Sequence, residues 1–359
     1  METEPLWVGL DLGQKRTHVC VIDDQGQTVH EEDCESSLGA LQAALSSFQD
    51  EHVGMIAVEA GSSTELVRKL QRVGLPVAMF EARKASRFLA VRRNKSDASD
   101  ARGLADLARI GRNTVSQVYL KSPECQQLRS RLMMRHRLVK VRVAVENALR
   151  GRLSQYGRRL ARSDSARLTK QRAVAHIRQL KAEENIDLAE DLKPLIDVST
   201  SIRTYLGKLD KQLEREAAKH PVCRRLMEVP GVGTICSLSF YSAIEDPMRF
   251  NRASDVAPYL GLVPRRYQSG DVSYTRGITK TGSKLTRTHL ATAALIFLQR
   301  APDCELKAWA VALKERIGGP RARIALARKL SILLLKLWKE DAHFEAFPSK
   351  QLIGTASGE

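Results

Sequence analysis

Short apolar runs broken by polar turns open the chain. Trp7–Leu12 and Thr17–Asp23 read as strands, Thr28–Glu32 as a third, and tight turns join them. A helical pattern over Leu38–Phe48 then leads into the apolar run Met55–Glu59, a second over Thr64–Val73 leads into Pro76–Phe80, and a further helix begins near Asp97. Three turn-linked strands followed by strand–helix repeats predict an α/β domain with a mixed sheet. From Leu104 to His220 the periodicity turns helical. Leu138, Val141, Val145 and Leu149 recur at helical spacing, and Leu188, Leu192, Leu195, Ser199, Ile202, Leu206, Leu209 and Leu213 step alternately by four and three, the a/d seam of a coiled coil. An interior proline loses a hydrogen bond, so the continuous helix is expected to begin near Pro194. From Val222 helical and loop segments run to an amphipathic helix, Arg321–Trp338. The expected division is 1–115, 116–220 and 221–342, with a disordered tail over 343–359.

Charge sharpens this division. The 359 residues carry a formal charge of +17, but residues 1–110 hold 13 Lys/Arg against 17 Asp/Glu, and the remainder 45 against 24. An acidic first third precedes a strongly basic body, and such a surplus implies a polyanionic partner whose phosphates release counterions on binding. Residues 129–172 concentrate it, with 14 Lys/Arg against Glu146 and Asp164. Arg129, Arg131, Arg135, Arg137, Lys140, Arg142, Arg150 and Arg152 surround the apolar stripe, as nucleic-acid contacts or as a solvated face. No apolar stretch is long enough to cross a bilayer and the N-terminus lacks a signal-peptide layout, so the expectation is a soluble cytoplasmic protein, nucleoid-associated when bound to DNA. The six cysteines form no Cys-x-x-Cys pair and read as buried thiols.

Four carboxylates stand at positions suited to chemistry. Asp11 ends the run Val8-Gly9-Leu10, Glu59 ends Met55-Ile56-Ala57-Val58, and Asp97 and Asp100 lie three apart, on one face of the predicted helix. The strand order resembles the RNase H-like fold, in which the first and fourth strands lie side by side, making Asp11 and Glu59 neighbours. Taken singly, these residues are a turn cap, a surface acid and a helix N-cap. Together they would repel one another unless a cation sat among them, and hard carboxylate oxygens suit Mg²⁺, with Mn²⁺ able to substitute. Two such ions can serve the attacking and leaving oxygens of phosphoryl transfer.

A second cluster lies near the C-terminus. Val229-Pro230-Gly231-Val232-Gly233 is like the turn of a helix-hairpin-helix element, in which amides near Gly231 and Gly233 can face a DNA phosphate. Arg265, Arg266, Arg276, Lys280, Lys284 and Arg287 then surround Ser269-Gly270. Cations of this density can bind phosphates and stabilise transition-state charge. On the residues alone Ser269-Gly270 is equally an ordinary turn within a DNA-contacting face, since no histidine stands near in sequence to activate the hydroxyl.

With both clusters in view, the sequence resembles the DEDD-type transposases of insertion sequences, relatives of the Piv-type DNA invertases. The likeness runs through Gly9-Leu10-Asp11, Val58-Glu59-Ala60, Asn94-Lys95-Ser96-Asp97-Ala98-Ser99-Asp100-Ala101, Val229–Gly233 and Gly261-Leu262-Val263-Pro264 to Ser269-Gly270 and Ile278-Thr279-Lys280. It implies a RuvC-like catalytic domain with the tetrad Asp11, Glu59, Asp97 and Asp100, a coiled-coil dimerisation region, and a mainly helical transposase domain whose nucleophile is Ser269. It further implies a 5′-phosphoserine intermediate, a structured noncoding guide RNA, element ends and target as DNA partners, and a homodimer or homotetramer with composite sites. The alternatives are a junction-resolving nuclease using water, a non-catalytic nucleic-acid-binding protein, and an actin-like sugar kinase, which would need a second phosphate-binding hairpin.

Overall fold

The computed structural model describes residues 4–48, 52–61, 64–89, 96–111, 115, 117–158, 169–269 and 272–346. The chain divides into two units, Met1–Lys121 and Ser122–Glu359, so the helical middle and the C-terminal stretch fall within one unit.

In the first unit β1 (Leu6–Leu12), β2 (Arg16–Ile22) and β3 (Thr28–Glu35) form an antiparallel meander, followed by α1 (Leu38–Ala44). Next come β4 (Val53–Glu59), α2 (Thr64–Arg72) and β5 (Val77–Phe80), then α3 (Ala82–Leu89) and α4 (Asp97–Asp106), which continues into a π-helical turn, Leu107–Gly111. The sheet order is β3-β2-β1-β4-β5, with β1, β4 and β5 mutually parallel. β1 is buried from Leu6 through Leu10, and a central strand covered on both faces reads as such a continuous apolar run. β3 is acidic and at the edge, where charge discourages further strand pairing. α3 was not expected: Ala82, Ala85, Phe88 and Leu89 recur at helical spacing, but the segment is only eight residues long and buries only Ala85.

Strand alternation sorts the two faces. Val8, Leu10, Ile56, Val58, Val77 and Met79 meet α1 and α2 through Leu41, Val67 and Leu70. Trp7, Ala57, Ala78 and Phe80 point the other way, into a layer with Ala85 of α3 and Ala101, Leu104 and Ala105 of α4. Gly9 belongs to this second row. A Cβ there would lie 1.9 Å from the Ala101 carbonyl oxygen and 2.3 Å from the Ala105 amide nitrogen, so α4 lies directly on the β1 backbone.

The second unit opens with α5 (Pro123–Gln155), capped by the Ser122 hydroxyl, which accepts from the Cys125 amide at 3.1 Å. α6 (Lys170–Glu184) and α7 (Ala189–Lys219) follow. α7 starts ahead of the expected Pro194. Proline forfeits one bond within the first two turns, while Leu192 on one side of it and Ile196 on the other are buried, and Asp187 caps the start by accepting from the Ala189 amide at 3.0 Å. The heptad seam is occupied within the chain: Leu188 and Leu192, with Ile196 beside them, pack with Leu149 and Leu153 of α5 and Ile177 of α6, Leu213, with Ala217 a turn further on, packs with Leu128 and Leu132, and Ser199, Ile202 and Leu206 between them are buried. α5 and α7 are therefore antiparallel partners.

Short helices α8 (Pro221–Leu226), α9 (Thr234–Ile244) and α10 (Val256–Tyr259) lead to a ribbon of β6 (Pro264–Ser269) and β7 (Val272–Ile278), and then to α11 (Lys284–Arg300), α12 (Glu305–Ile317) and α13 (Gly319–Lys339). Phe240, Leu290, Phe297, Leu326, Leu330 and Leu334 centre their core. Residues 343–346, expected within the disordered tail, are ordered against the second unit. Glu228 accepts from His343 at 2.8 Å and from the Phe344 amide at 3.1 Å, and Phe344 packs on that core, while residues 347–359 lie outside those described.

Glu146 is buried inside the α5–α7 pair, 2.6 Å from Arg203 of α7, 3.7 Å from Arg142 and 3.9 Å from Arg150. Removing one partner of a buried ionic cluster strands the rest without compensation. Glu146→Ala is expected to lower unfolding free energy by about 2–3 kcal/mol in urea titrations, below the full penalty because the guanidinium groups retain some water.

Candidate nucleic-acid-processing site

The carboxylate centre follows from the two rows of the sheet. Asp11 continues the row of Trp7 and Gly9, and Glu59 that of Ala57, so both stand on the α4 side at the ends of adjacent parallel strands, one residue beyond the Leu10–Val58 register pair. α4 begins at Asp97, and the Ser96 side chain accepts from the Ser99 amide at 3.1 Å. Asp97 and Asp100 occupy its first turn, where the helix dipole favours negative charge. The structure thus brings the four acids into one electrostatic neighbourhood. Burial raises the Asp11 carboxyl above the ordinary range, and Asp97, Asp100 and Glu59 raise it further, while His18, its cross-strand partner on β2, works the other way. Among the described residues no three His, Cys, Asp or Glu side chains are gathered closely enough to hold a metal ion. The acids share a field without forming a closed ligand shell. Asn94 and Lys95, which precede them in the motif, lie outside the described residues.

Two arginines tie α4 and its π-helical continuation to the sheet. Arg102 donates to the Gly26 carbonyl and Arg109 to that of Asp24 at 3.0 Å, both in the β2–β3 turn. Neither the arginines nor the demand for glycine at position 9 was anticipated. The signal available was the small-residue row Gly9, Ala57 and Ala78.

In the second unit the α8–α9 turn divides its two glycines by role. Gly231 has φ +85°, and a Cβ on it would come within 2.4 Å of the Ala293 carbonyl oxygen of α11, so it is required by packing. Gly233 has open space around it and begins α9 with no side-chain cap, which leaves the amides of the first turn available to an acceptor. The turn borders a cavity of about 420 Å³ with Arg135, Asp210, Thr234 and His289.

The ribbon replaces what the sequence suggested was loop, and Ser269 is the last residue of β6, paired with Val272. Gly270 lies outside the described residues, as do the side chains of Arg266, Ser269 and Arg276. Two turns interlock at the ribbon's base: a Cβ at Gly261 would meet Thr281 backbone at 2.4 Å, and one at Gly282 the Tyr259 carbonyl oxygen at 2.2 Å. Arg287 donates from Nη1 to the carbonyls of Leu260 at 3.0 Å and Gly282 at 3.2 Å, and also to that of Thr281. Its guanidinium is thereby engaged in holding this base. Arg265, Lys280 and Lys284 are exposed.

The α5 cations separate likewise. Arg135 bonds Asp210 at 2.5 Å, Arg131 lies 3.8 Å from Glu216, and Arg142 and Arg150 flank Glu146. Arg129 reaches the Ser242 carbonyl at 3.5 Å. Arg137, Lys140 and Arg152 are exposed.

Two family models match this chain. One, described as a transposase of the DEDD IS110 type, matches residues 8–157, and one described as the transposase IS116/IS110/IS902 family matches residues 223–308. The chain is 29% identical to the transposase for insertion sequence element IS1111A of Coxiella burnetii, over 90% of this chain and 86% of that one. It is 27% identical to a probable family 20 transposase of Pseudomonas aeruginosa, over 93% and 97%, and 25% identical to the transposase for insertion sequence element IS1328 of Yersinia enterocolitica, over 82% and 84%. The class is therefore an enzyme that acts on DNA, a transposase. Within it, the two matches and these relatives support an insertion-sequence transposase of the DEDD type. No helix among the described residues is long and apolar enough to cross a membrane.

Gly9→Ala is expected to push α4 off β1, lowering stability by about 3 kcal/mol and reducing DNA strand cleavage with it, as read by thermal denaturation and a plasmid-nicking assay. His289 gives a pH signature. Burial, reinforced by Arg135 and His136, pushes its imidazole down to about 4 from the ordinary 6.5, and its Nδ1 is buried without a partner. The unfolded chain takes up this proton near pH 6.5 and the folded protein only near 4, so stability is complete above that window and falls as pH drops through it, by up to about 3 kcal/mol. His289→Gln is expected to flatten this acid-side fall in melting temperature between pH 7 and 4.5.

Proposed function

We propose that this transposase cuts and rejoins the ends of its element and their target through a serine ester, with Asp11, Glu59, Asp97 and Asp100 holding Mg²⁺ for that step. The placement of the acids carries the reading: Asp11 and Glu59 end adjacent parallel strands on the side where the first turn of α4 brings Asp97 and Asp100, and burial, with these like charges adding to it, raises the Asp11 carboxyl, a cost that a divalent cation relieves. The strand order β3-β2-β1-β4-β5 supports an RNase H-like, RuvC-like assignment for the first unit. The donor set consists of hard oxygens, which suits Mg²⁺ or Mn²⁺, and the four carboxylates, which do not form a closed shell here, would have to draw in around the ion. Bound there, the ion would supply Lewis-acid stabilisation of charge on the phosphate oxygens.

In this reading the Ser269 hydroxyl oxygen attacks phosphorus. The bond from phosphorus to the 3′ oxygen breaks, the serine proton passes to that leaving oxygen, and the 5′ phosphate stays esterified to serine. Rejoining is the same exchange run onto another 3′ hydroxyl, with no net hydrolysis. Arg265, Arg266, Arg276, Lys280 and Lys284 supply positive charge along the strand, and the uncapped amides beside Gly233 a further phosphate contact. The outward cations of α5, Arg137, Lys140 and Arg152, suit a structured guide RNA, which is recognised through shape and phosphates. The carboxylates of one copy serve the serine of another in an assembly of two or four. Because the α7 seam is covered within the chain, pairing uses another surface.

With Mg²⁺ and a plasmid carrying the element's ends, the expected products are protein–DNA adducts with free 3′ hydroxyls. Ser269→Ala should abolish them while DNA and RNA retention stays within about twofold, and Asp100→Asn should reduce them by about a hundredfold. Adducts at normal yield from Ser269→Ala would refute the nucleophile. Protein-free nicked ends from the unaltered enzyme would instead favour water as nucleophile, as in a junction-resolving nuclease.

A further inference from the structure

The β6–β7 ribbon has two rows of alternate positions. One row, read from the base towards the end, pairs Arg265 with Arg276, Tyr267 with Tyr274 and Ser269 with Val272. The two tyrosine rings stack with centroids 5.3 Å apart and planes 17° from parallel. Arg265 donates from Nη1 to the Tyr267 hydroxyl at 3.2 Å, which holds its guanidinium beside the rings. Cross-strand stacking stiffens a ribbon, yet Tyr267 remains 41% exposed and Tyr274 44%. Their ring surface is therefore offered to solvent beside a dense set of cations.

An aromatic platform next to arginine is the chemistry that holds a nucleobase and its phosphate without regard to sequence. The platform distinguishes between forms of nucleic acid. A base inside a duplex has both faces stacked on its neighbours, so only a base drawn out of the stack has a face free for the Tyr267–Tyr274 layer.

We infer that this row of the ribbon is a track for an unstacked DNA strand, with one base lying on the Tyr267–Tyr274 pair and its flanking phosphate at the Arg265–Arg276 layer. On the reading of Ser269 as nucleophile, on which only this last step rests, the track delivers the neighbouring phosphodiester to the serine. The tyrosines are binding residues here. They open and register the strand, and the covalent exchange remains the one given above.

The test uses the full-length protein with a short oligothymidylate, a mixed-sequence duplex of equal length, and a single strand carrying one 2-aminopurine. Tyr267→Leu or Tyr274→Leu should weaken single-strand binding by roughly tenfold and leave duplex binding nearly unchanged. Phenylalanine or tryptophan at either position should keep affinity within about twofold and quench the 2-aminopurine as the parent does. Leucine variants that bind the single strand as tightly as the parent would overturn the track. So would equal losses on single strand and duplex, or phenylalanine variants as weak as the leucine ones, which would put the contact on the hydroxyls. Ser269→Ala should bind and quench normally. Tyrosine-dependent binding without any adduct in the parent would sink the serine reading and keep the track, whereas adducts with tyrosine-independent binding would do the reverse.

Discussion

A helix lying on bare backbone is the constraint from which the first unit's chemistry follows. α4 meets β1 where Gly9 has no side chain, and Ala57 and Ala78 continue that low surface across the parallel strands. Close approach of this kind fixes the height and tilt of the helix, because its own contact residues, Ala101 and Ala105, are also small and leave no slack. The first turn of α4 is thereby carried to the ends of β1 and β4. Two acids from strands and two from a helix turn then share one field, although their backbones come from three separate parts of the chain.

Charge in the second unit has two distinct uses. Part of the basic surplus is structural: Arg135 and the arginines around Glu146 tie α5 to itself and to α7, and Arg287 gathers the carbonyls at the base of the ribbon. Others are exposed, Arg137, Lys140 and Arg152 on α5 and Arg265, Lys280 and Lys284 at the ribbon and its base. A count of cations overstates the surface offered to nucleic acid, since guanidinium groups satisfy buried acceptors as readily as phosphates.

Much of the first unit was legible because its signals are local. Apolar runs of strand length, turn residues between them and helical periodicity gave the order of β1 to β5 and of α1, α2 and α4, and Asp11 and Glu59 announced themselves as charges ending apolar strands. α3 escaped because it buries a single alanine, and the start of α7 because the packing of Leu192 and Ile196 outweighs the local cost of Pro194. The ribbon escaped for a different reason. Its apolar residues are few, Val272 and Ile278 at the two ends of β7 with Tyr267 and Tyr274 between cations and hydroxyls, so no sustained apolar alternation marks it, and the interlocked turns at Gly261 and Gly282 that hold it are tertiary contacts.

By itself the sequence determined the five strands of the first unit and most of its helices, where acid and base concentrate, and which carboxylates stand at element ends, because each of these depends on neighbours within a few residues. Tertiary structure alone decided that the heptad seam closes within the chain, that Gly231 serves packing while Gly233 opens a helix terminus, and that Arg287 turns inward. The physical reason is common to all three. An apolar stripe, a glycine or a guanidinium states only what it can satisfy, and the partner that satisfies it is chosen by whatever the fold brings within a few ångströms.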